Sequence, residues 1–225
     1  MDGMNGATPQ AVFFDWDGTL VDTLPWLLKA HNHVRGHLGL EAWSVEEFKH
    51  FVRYSSRELY GPLYKERAEE ALAVLRAVME ANHLENLHVL PDSLQLLEYL
   101  GSREIAVGIV SNKRHEFLLR EIDHLGWGHL SRVSIGAGFA EKDKPAADPL
   151  LLALRQCGIE PGSHVWYVGD SETDMQTAQA AGCAAILVRH NHNNEHLAER
   201  YNPLFVFDDC LAIQNKLAIF HGRCL

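Results

Sequence analysis

The sequence is poor in cysteine and lacks long hydrophobic runs. It has four cysteines in 225 residues, and their positions show no paired or metal-type spacing: Cys157, Cys183, Cys210 and Cys224. This argues against a disulfide framework and favours free thiols in a reducing compartment, so we expect a cytoplasmic protein. The longest apolar runs are too short to cross a bilayer, and residues 1–10 lack the apolar core of a signal peptide. No membrane association is therefore expected.

Basic residues are also scarce relative to acidic ones. Twenty Lys and Arg face thirty Asp and Glu, which gives a formal net charge of −10. A negative field repels nucleic acid, so binding to a phosphate backbone is not expected. A small phosphorylated ligand is still compatible with this charge if local cations or a metal ion reverse the sign at its site. With 47% hydrophobic residues the chain can bury a core, and its length predicts one large domain or a domain with an insert.

Short β-rich runs alternate with amphipathic helical patterns. The strands are predicted at 11–15, 105–110, 132–135, 165–168, 185–188 and 205–207. Helical patterns between them include 93–100, 116–125, 149–156 and 175–181. Nearly continuous apolar strands separated by helices predict an α/β fold with a doubly wound parallel sheet, similar to a Rossmann fold. The ligand site of such a sheet lies beyond the carboxyl ends of its strands.

The interval between the first two predicted strands is helical. Thr23 is placed to cap one helix, and Ser44 with Glu47 forms the pattern of a capping box. Ser55 with Glu58 has the same spacing, and Pro62 opens a long helical pattern. We therefore predict an all-α cap domain at 21–90, inserted into a catalytic core formed by 1–20 and 91–225.

The first strand ends in two acids, Asp15 and Asp17, followed by Gly18. Two carboxylates this close raise each other's pKa unless a cation or a shared proton compensates. An ordinary polar turn explains an Asp-Gly pair equally well, so this segment alone does not decide between structure and function.

The later strand ends carry further polar groups. Ser111, Asn112 and Lys113 follow the second strand where a helix starts, which suits an anion, although a serine there is also a plain helix cap. After the third strand comes Lys144, before a proline, and the fourth strand leads to Asp170 and Asp174. A helix cap or a surface charge would explain any one of these residues, but does not readily explain polar groups at the ends of all four strands. Oxygen ligands clustered at strand ends predict a Mg²⁺ site.

Four ordered motifs resemble the haloacid dehalogenase-like superfamily of phosphohydrolases. They are FFDWDGTLVDT at 13–23, VSNK at 110–113, KPAADP at 144–149 and GDSETDMQTAQAAG at 169–182. The helical insert resembles the cap of the phosphoglycolate phosphatase and β-phosphoglucomutase branch. Trp16 departs from the smaller aliphatic residue that is commoner there, and we expect no effect on the chemistry.

The resemblance implies a Mg²⁺-dependent phosphatase acting on a small phosphorylated metabolite. Asp15 would be the nucleophile and Asp17 the general acid and base, with Lys144 neutralising charge. Metal ligation would fall to four acids, the second through its backbone carbonyl and the last mainly by orienting metal-bound water: Asp15, Asp17, Asp170 and Asp174. Phosphate and substrate binding would fall to Gly18, Thr19, Ser111, Asn112, Lys113, Arg53 and Arg57.

Arg53 and Arg57 lie in a turn of the predicted cap, where they could clamp a carboxylate or a second phosphate of the substrate. Equally, both could be solvated surface residues. The fourteen histidines have no zinc spacing, and we expect scattered surface positions. Of the group after the fifth strand (His190, His192, His196), His190 borders the predicted cleft.

Two other functions are compatible with the sequence. A phosphomutase of the β-phosphoglucomutase type would return the phosphoryl group to a sugar phosphate. A catalytically idle scaffold that binds a partner is the least favoured alternative, because every catalytic position is filled. The physiological substrate and the oligomeric state are not predicted by the sequence.

Overall fold

The central feature of the fold is a parallel sheet of six strands. The structure is a computed structural model and describes residues 8–190 and 194–222. The strands are β1 (Ala11–Phe14), β2 (Ala106–Arg114), β3 (Val133–Ala137), β4 (Val165–Gly169), β5 (Ala184–Val188) and β6 (Phe205–Phe207). Their spatial order is β3-β2-β1-β4-β5-β6, and every pairing is parallel. The predicted α/β class with a doubly wound parallel sheet is confirmed.

Burial on both faces explains why the strands are apolar throughout. All four residues of β1 are fully buried, and successive side chains point to opposite faces of the sheet. Val12 and Phe14 belong to one hydrophobic cluster, whereas Ala11 and Phe13 belong to another. Each cluster packs against helices, so the sheet lies between two helical layers.

Ten α-helices occur in the described part of the chain. They are α1 (Leu24–His37), α2 (Val45–Phe51), α3 (Ser56–Tyr64), α4 (Ala68–Asn82), α5 (Ser93–Ser102), α6 (His115–His124), α7 (Asp148–Cys157), α8 (Glu172–Ala180), α9 (Glu195–Tyr201) and α10 (Cys210–Gly222). No helix among these residues is long and apolar enough to cross a membrane. The described cysteines, Cys157, Cys183 and Cys210, are free thiols, and Cys224 lies outside the described residues.

Helices α1 to α4 lie between β1 and β2 in the sequence, and α1, α3 and α4 share a third hydrophobic cluster. The chain segments that lead into and out of this helical group lie side by side. Val21 and Val89 form an isolated antiparallel bridge, and the Asp22 amide donates to the His88 carbonyl at 2.7 Å. The two connections therefore run together, close to the predicted boundaries of the insert.

Local signals in this helical group were correct in part. The capping box of Ser44 and Glu47 is present, with the Ser44 amide 2.8 Å from Glu47 Oε2. Ser55 caps α3, but Glu58 accepts from the Asp143 amide instead of completing a box. The prediction of one long helix from Pro62 was wrong: Pro62 lies inside α3, and a short 3₁₀ turn at 65–67 separates α3 from α4.

Thr23 does not cap α1 with its side chain, contrary to the prediction. Its hydroxyl donates to Asp17 Oδ1 instead. Pro25 lies in the first turn of the helix and has no amide hydrogen. One fewer backbone donor therefore needs a capping acceptor there. The residue predicted to start the helix thus contacts the predicted site.

Candidate active site

Four adjacent strands deliver the predicted site residues to one edge of the sheet. Asp15 follows β1, Ser111 lies near the end of β2, and Asp170 follows β4. Lys144 lies in the loop between β3 and α7. Because these strands are neighbours in the order β3-β2-β1-β4 and all run in the same direction, their carboxyl ends meet.

Three carboxylates converge at this edge. One oxygen each from Asp15, Asp170 and Asp174 lies within 4.8 Å of the others. The Lys144 ammonium lies 2.8 Å from Asp15 Oδ1 and 2.7 Å from Asp174 Oδ1. A cluster of three acids and one base thus carries an excess of negative charge when all groups are ionised.

Burial and mutual repulsion raise the pKa of two of these acids. Loss of solvent, followed by the charge of Asp174, raises the pKa of Asp15 to about 7. The same two causes raise the pKa of Asp170 well above its ordinary value. Burial acts to lower the pKa of Lys144, but the charges of Asp15 and Asp174 outweigh it and raise that pKa well above the ordinary value. Lys144 is therefore charged, and a further cation would compensate the repulsion that remains among the carboxylates.

The donor set fits Mg²⁺. This ion prefers oxygen ligands, uses one or two carboxylates and keeps positions for water and phosphate. Asp15 and Asp170 offer carboxylates of raised pKa, and a divalent ion would compensate their repulsion. The predicted metal site is therefore supported by its donors and their charge.

Asp174 has partners that hold both of its carboxylate oxygens. Its Oδ2 accepts from the Ser171 amide at 3.0 Å and from the Ser171 hydroxyl at 2.6 Å, in a capping box at the start of α8. Its Oδ1 accepts from Lys144 and, at 3.3 Å, from the Tyr167 hydroxyl. The helix-capping interpretation of Asp174 and its place in the cluster are therefore both realised by the same side chain.

Asp17 is held apart from the three-carboxylate group by a different lysine. Lys113 Nζ lies 2.7 Å from Asp17 Oδ1 and 2.6 Å from Glu121 Oε2. Lys113 is almost completely buried, and the two carboxylates outweigh the effect of burial to raise its pKa. We predicted Lys113 as a phosphate ligand, but its ammonium is bound by these two carboxylates.

Glu121 is a buried acid that the sequence analysis missed. Besides Lys113, it accepts from Trp16 Nε1 at 2.7 Å and lies 3.0 Å from His83 Nδ1. Burial acts to raise its pKa, but Lys113 and the hydrogen bonds more than compensate and lower it. Trp16 is thus linked to Asp17 through Glu121 and Lys113. The available signal was the position of Glu121 four residues after Phe117, on the buried face of α6.

Gly18 and Thr19 form the turn that follows the paired acids. Gly18 has a φ of +82°, and a Cβ at this position would lie 2.7 Å from Asp170 Oδ2. Thr19 is fully buried and its hydroxyl donates to Asp170 Oδ1 at 3.3 Å. Both residues therefore position Asp170, whereas their predicted contact with phosphate stays a prediction.

Ser111 and Asn112 lie beside the acids with different side-chain roles. The Ser111 hydroxyl is buried and accepts from the Lys113 amide at 3.1 Å. The Asn112 side chain donates to the carbonyls of Arg53 and Lys144 at 2.8 and 3.0 Å, and accepts from the Lys144 amide at 3.0 Å. Asn112 therefore connects the cap turn to the loop that carries the lysine.

Both arginines of the cap turn are paired with core acids. The Arg53 guanidinium forms an ion pair with Glu172, and Arg53 lines the cavity above the site. Arg57 contacts both oxygens of Asp143, at 3.1 and 3.2 Å. Asp143 is buried, and Arg57 is not among the residues that line the cavity. This geometry favours a structural role for Arg57 instead of a substrate clamp.

His190 contacts the turn at Thr19 but is not among the residues that line the cavity, so its place at the cleft stays a prediction. Its Nε2 lies 3.0 Å from the Thr19 carbonyl and 3.8 Å from Cys210 Sγ. His196 lines the same cavity, and His192 lies outside the described residues. Among the described residues, the metal-type cluster of acids includes no histidine.

A cavity of about 260 Å³ connects the acids to the helical insert. Its floor includes Asp15, Asp17, Ser111, Lys144 and Asp170. Its walls include residues of α1, α4 and α6. A ligand that reaches the carboxylates is therefore enclosed by both parts of the chain.

Known proteins are similar to this chain in sequence. The sequence profile of the family described as "Haloacid dehalogenase-like hydrolase" matches residues 12–188. A phosphoglycolate phosphatase of Chromobacterium violaceum is 32% identical over 202 residues, which span 84% of this chain and 89% of that protein. A phosphoglycolate phosphatase of Pseudomonas savastanoi pv. phaseolicola is 28% identical over 214 residues, which span 91% of this chain and 78% of that protein.

Solved structures of related hydrolases have a similar fold. A HAD-superfamily hydrolase from Ehrlichia chaffeensis has a TM-score of 0.67 and 27% identity, over 96% of this chain and 98% of that one. A haloacid dehalogenase-like hydrolase from Streptococcus pneumoniae has a TM-score of 0.81, over 94% of this chain and 99% of that one, and its 22% identity supports the fold alone. The predicted enzyme class, a hydrolase of the phosphatase type, is confirmed by these relatives. The chain belongs to the haloacid dehalogenase-like hydrolase family.

Proposed function

We propose that this chain is a Mg²⁺-dependent phosphomonoester hydrolase that acts on a small phosphorylated metabolite through an aspartyl-phosphate intermediate on Asp15. One observation carries the proposal: three carboxylate oxygens within 4.8 Å of one another, with Lys144 2.8 Å from Asp15, at the carboxyl edge of a parallel sheet. Family membership and relatives that are themselves named phosphoglycolate phosphatases support the same reaction class.

The carboxylates of Asp15 and Asp170 and the backbone carbonyl of Asp17 would hold Mg²⁺. Bound there, the ion would neutralise negative charge on the carboxylates and on the phosphoryl group. Asp174 would act by orientation, because Ser171, Lys144 and Tyr167 already occupy its oxygens.

In the first step a carboxylate oxygen of Asp15 attacks phosphorus in line. The new oxygen–phosphorus bond forms as the bond from phosphorus to the alcohol oxygen breaks, and Asp17 gives its proton to the departing oxygen. Lys144, which contacts Asp15, stabilises the charge on the attacking carboxylate and the phosphoryl group.

In the second step a water molecule attacks phosphorus through its oxygen, and Asp17 takes a proton from this water. The bond between Asp15 and phosphorus breaks, which restores the carboxylate and releases inorganic phosphate. Lys113 and Thr23 hold Asp17 Oδ1 and fix the direction of this carboxylate through both steps. Asp17 therefore acts as acid and then base from one position.

The remaining phosphate oxygens would be bound by Ser111, the Asn112 amide and the turn at Gly18 and Thr19. The insert at 21–90 would act as a cap over the core formed by 1–20 and 91–225, of which residues 1–7, 191–193 and 223–225 lie outside the described residues. Closing the cap would exclude water from the phosphoryl group.

The test is a phosphate-release screen over phosphorylated metabolites with Mg²⁺, comparing the wild-type enzyme with Asp15→Asn and with Asp123→Asn, a matched control at an exposed position on α6. We expect Asp15→Asn to lose at least about three orders of magnitude in kcat, the scale of a lost nucleophile, and Asp123→Asn to retain wild-type rates. Mass spectrometry of rapidly quenched enzyme is expected to find one phosphoryl group on Asp15.

Near-normal turnover by Asp15→Asn would refute the assignment of the nucleophile. Isomerisation of a sugar phosphate without net phosphate release would identify a phosphomutase instead. No activity with any phosphate ester, despite bound Mg²⁺, would favour a scaffold that only binds a partner.

A further inference from the structure

Part of the cavity above Asp15 is lined by hydrocarbon. Its walls there are formed by side chains of α1, α4 and α6: Leu24, Leu27, Leu72, Leu75, Met79 and Phe117. The last three are buried, and the others are half-buried. Any group that leaves phosphorus in the direction of the cap enters this apolar space.

Cations near this space are exposed or already paired. Lys49, Arg76 and Arg114 line the cavity but are exposed, so they belong to its mouth. Arg53 also lines it, but its guanidinium forms an ion pair with Glu172. Arg57 is committed to Asp143. Among the described lining residues of the cap, no buried cation is available for a carboxylate of the substrate.

His31 also lines the cavity and adds no charge to it. Its Nδ1 lies 2.9 Å from the Tyr60 hydroxyl, and its ring packs against Trp43 and Phe48. Burial lowers the pKa of His31 to about 4, so the ring is neutral near neutral pH. A substrate group that contacts His31 therefore meets an uncharged aromatic ring.

We propose that the alcohol part of the substrate is an uncharged apolar group, an alkyl or aryl chain of several carbons, and that Leu27, Leu72 and Phe117 select it. The inference rests on the proposed phosphatase activity. It separates this chain from its named relatives, because glycolate would place a carboxylate against hydrocarbon with no partner for its charge. An apolar chain of matching size gains free energy from the same contact.

The experiment uses the Mg²⁺-loaded enzyme with ethyl, propyl, butyl and hexyl phosphate and with phosphoglycolate. Straight-chain alcohols differ little as leaving groups, so the series varies apolar length while the chemistry stays the same. We expect kcat/KM to rise about fourfold per methylene until the chain fills the cavity, the factor that corresponds to ~0.8 kcal/mol per buried methylene. Phosphoglycolate is expected to fall below propyl phosphate, which is similar in size.

Two variants connect the effect to the cavity wall. Leu72→Asn and, on another helix, Leu27→Asn are expected to reduce the ratio of hexyl to ethyl kcat/KM at least about fivefold. Leu119→Asn is the matched control, because Leu119 is an exposed leucine of α6 that does not line the cavity. This control is expected to keep the wild-type ratio.

The outcomes separate this inference from the proposed function. Hydrolysis of the esters with a flat or falling dependence on chain length, or with phosphoglycolate preferred, would overturn the apolar substrate class and leave the phosphatase activity intact. An unchanged ratio in both folded wall variants would overturn the role of the wall. Failure to hydrolyse any ester would overturn the proposed function, and this inference with it.

Discussion

Asp15 and Asp17 are two residues apart, yet they face different partners. Asp15 lies with Asp170, Asp174 and Lys144 in the three-carboxylate group, whereas the Asp17 side chain contacts Lys113 and Thr23. A nucleophile needs an ionised carboxylate close to cations, and an acid that later becomes a base needs a fixed direction toward the departing oxygen. The separate lysines support this division of roles at the scale of single residues.

Glu121 joins three buried groups, the Lys113 ammonium, Trp16 Nε1 and His83 Nδ1. Replacing it by alanine leaves Lys113 with one carboxylate, and Trp16 Nε1 and His83 Nδ1 without their acceptor. We expect Glu121→Ala to lower the free energy of unfolding by about 3 to 5 kcal/mol, as when a buried ion pair loses one member. Urea unfolding of Glu98→Ala, an exposed glutamate of α5, is the control, with an expected change within about 0.5 kcal/mol. Equal effects of the two variants would contradict the role of Glu121.

Gly18 is required for the approach of Asp170. Alanine at Gly18 would bring a Cβ to 2.7 Å from Asp170 Oδ2, whereas alanine at Gly39, which also has a positive φ, meets nothing within 4 Å. Both substitutions are expected to cost about 1 kcal/mol of stability from the backbone conformation. Only Gly18→Ala is expected to lower kcat, by at least about tenfold, in steady-state assays with Mg²⁺. A similar loss of activity in Gly39→Ala would show that backbone strain alone explains the effect.

At the scale of elements, α3 is attached to the core through one buried acid. Asp143 accepts from the Ser55 hydroxyl at 2.5 Å and from the Gly138 amide at 2.9 Å, and it also pairs with Arg57. The Asp143 amide in turn donates to Glu58. The start of α3 is therefore held to the loop that carries Lys144, so the position of α3 and the position of this lysine are connected.

Two helix caps of the insert should differ in their effect on stability. Ser44 is an exposed cap of α2, whereas Ser55 is buried and both caps α3 and donates to Asp143. We expect Ser44→Ala to lower the free energy of unfolding by about 1 kcal/mol and Ser55→Ala by about 2 to 3 kcal/mol. Chemical denaturation of both variants measures this difference, and a smaller effect at Ser55 would argue against the attachment through Asp143.

For the whole molecule, three clustered acids share one lysine, and the repulsion that remains among them opposes folding until a further cation binds. The raised pKa values of Asp15 and Asp170 express this repulsion together with burial. A ligand that binds only the folded state stabilises it by mass action, about 3 kcal/mol at one hundred times its Kd. The stability of the protein is therefore expected to depend on Mg²⁺.

Thermal unfolding with Mg²⁺ and with EDTA tests this dependence. For a chain of this length we expect saturating Mg²⁺ to raise Tm by roughly 5 to 10 °C. Asp170→Asn is expected to match or exceed the wild-type Tm in EDTA, because one buried charge is removed, and to gain little from Mg²⁺. Asp208→Asn, an exposed acid distant from the cluster in the sequence, is the control with a wild-type response. An equal Mg²⁺ response in Asp170→Asn would place the ion elsewhere.

The strands and the acids of the site could be predicted because both depend on local patterns. Apolar runs such as Val165–Val168 form parallel strands, and a residue that follows such a strand necessarily lies at its carboxyl end. Thr23 shows the limit of local patterns. It has the residue type and position of a helix cap, but the carboxylate of Asp17 is a stronger acceptor, and its location is known only once the chain is folded.

The sequence by itself determined the α/β class, the sheet edge that holds the site, and the three acids and the lysine that meet there, since strand periodicity and direction fix these within short segments. The tertiary structure alone decided which polar side chains pair: Glu121 with Lys113 and Trp16, Arg53 with Glu172, and Arg57 with Asp143. It also decided that one wall of the cavity above Asp15 is apolar, because that wall is assembled from three helices distant in sequence. Such contacts depend on how elements pack, and no local pattern of residues specifies that packing.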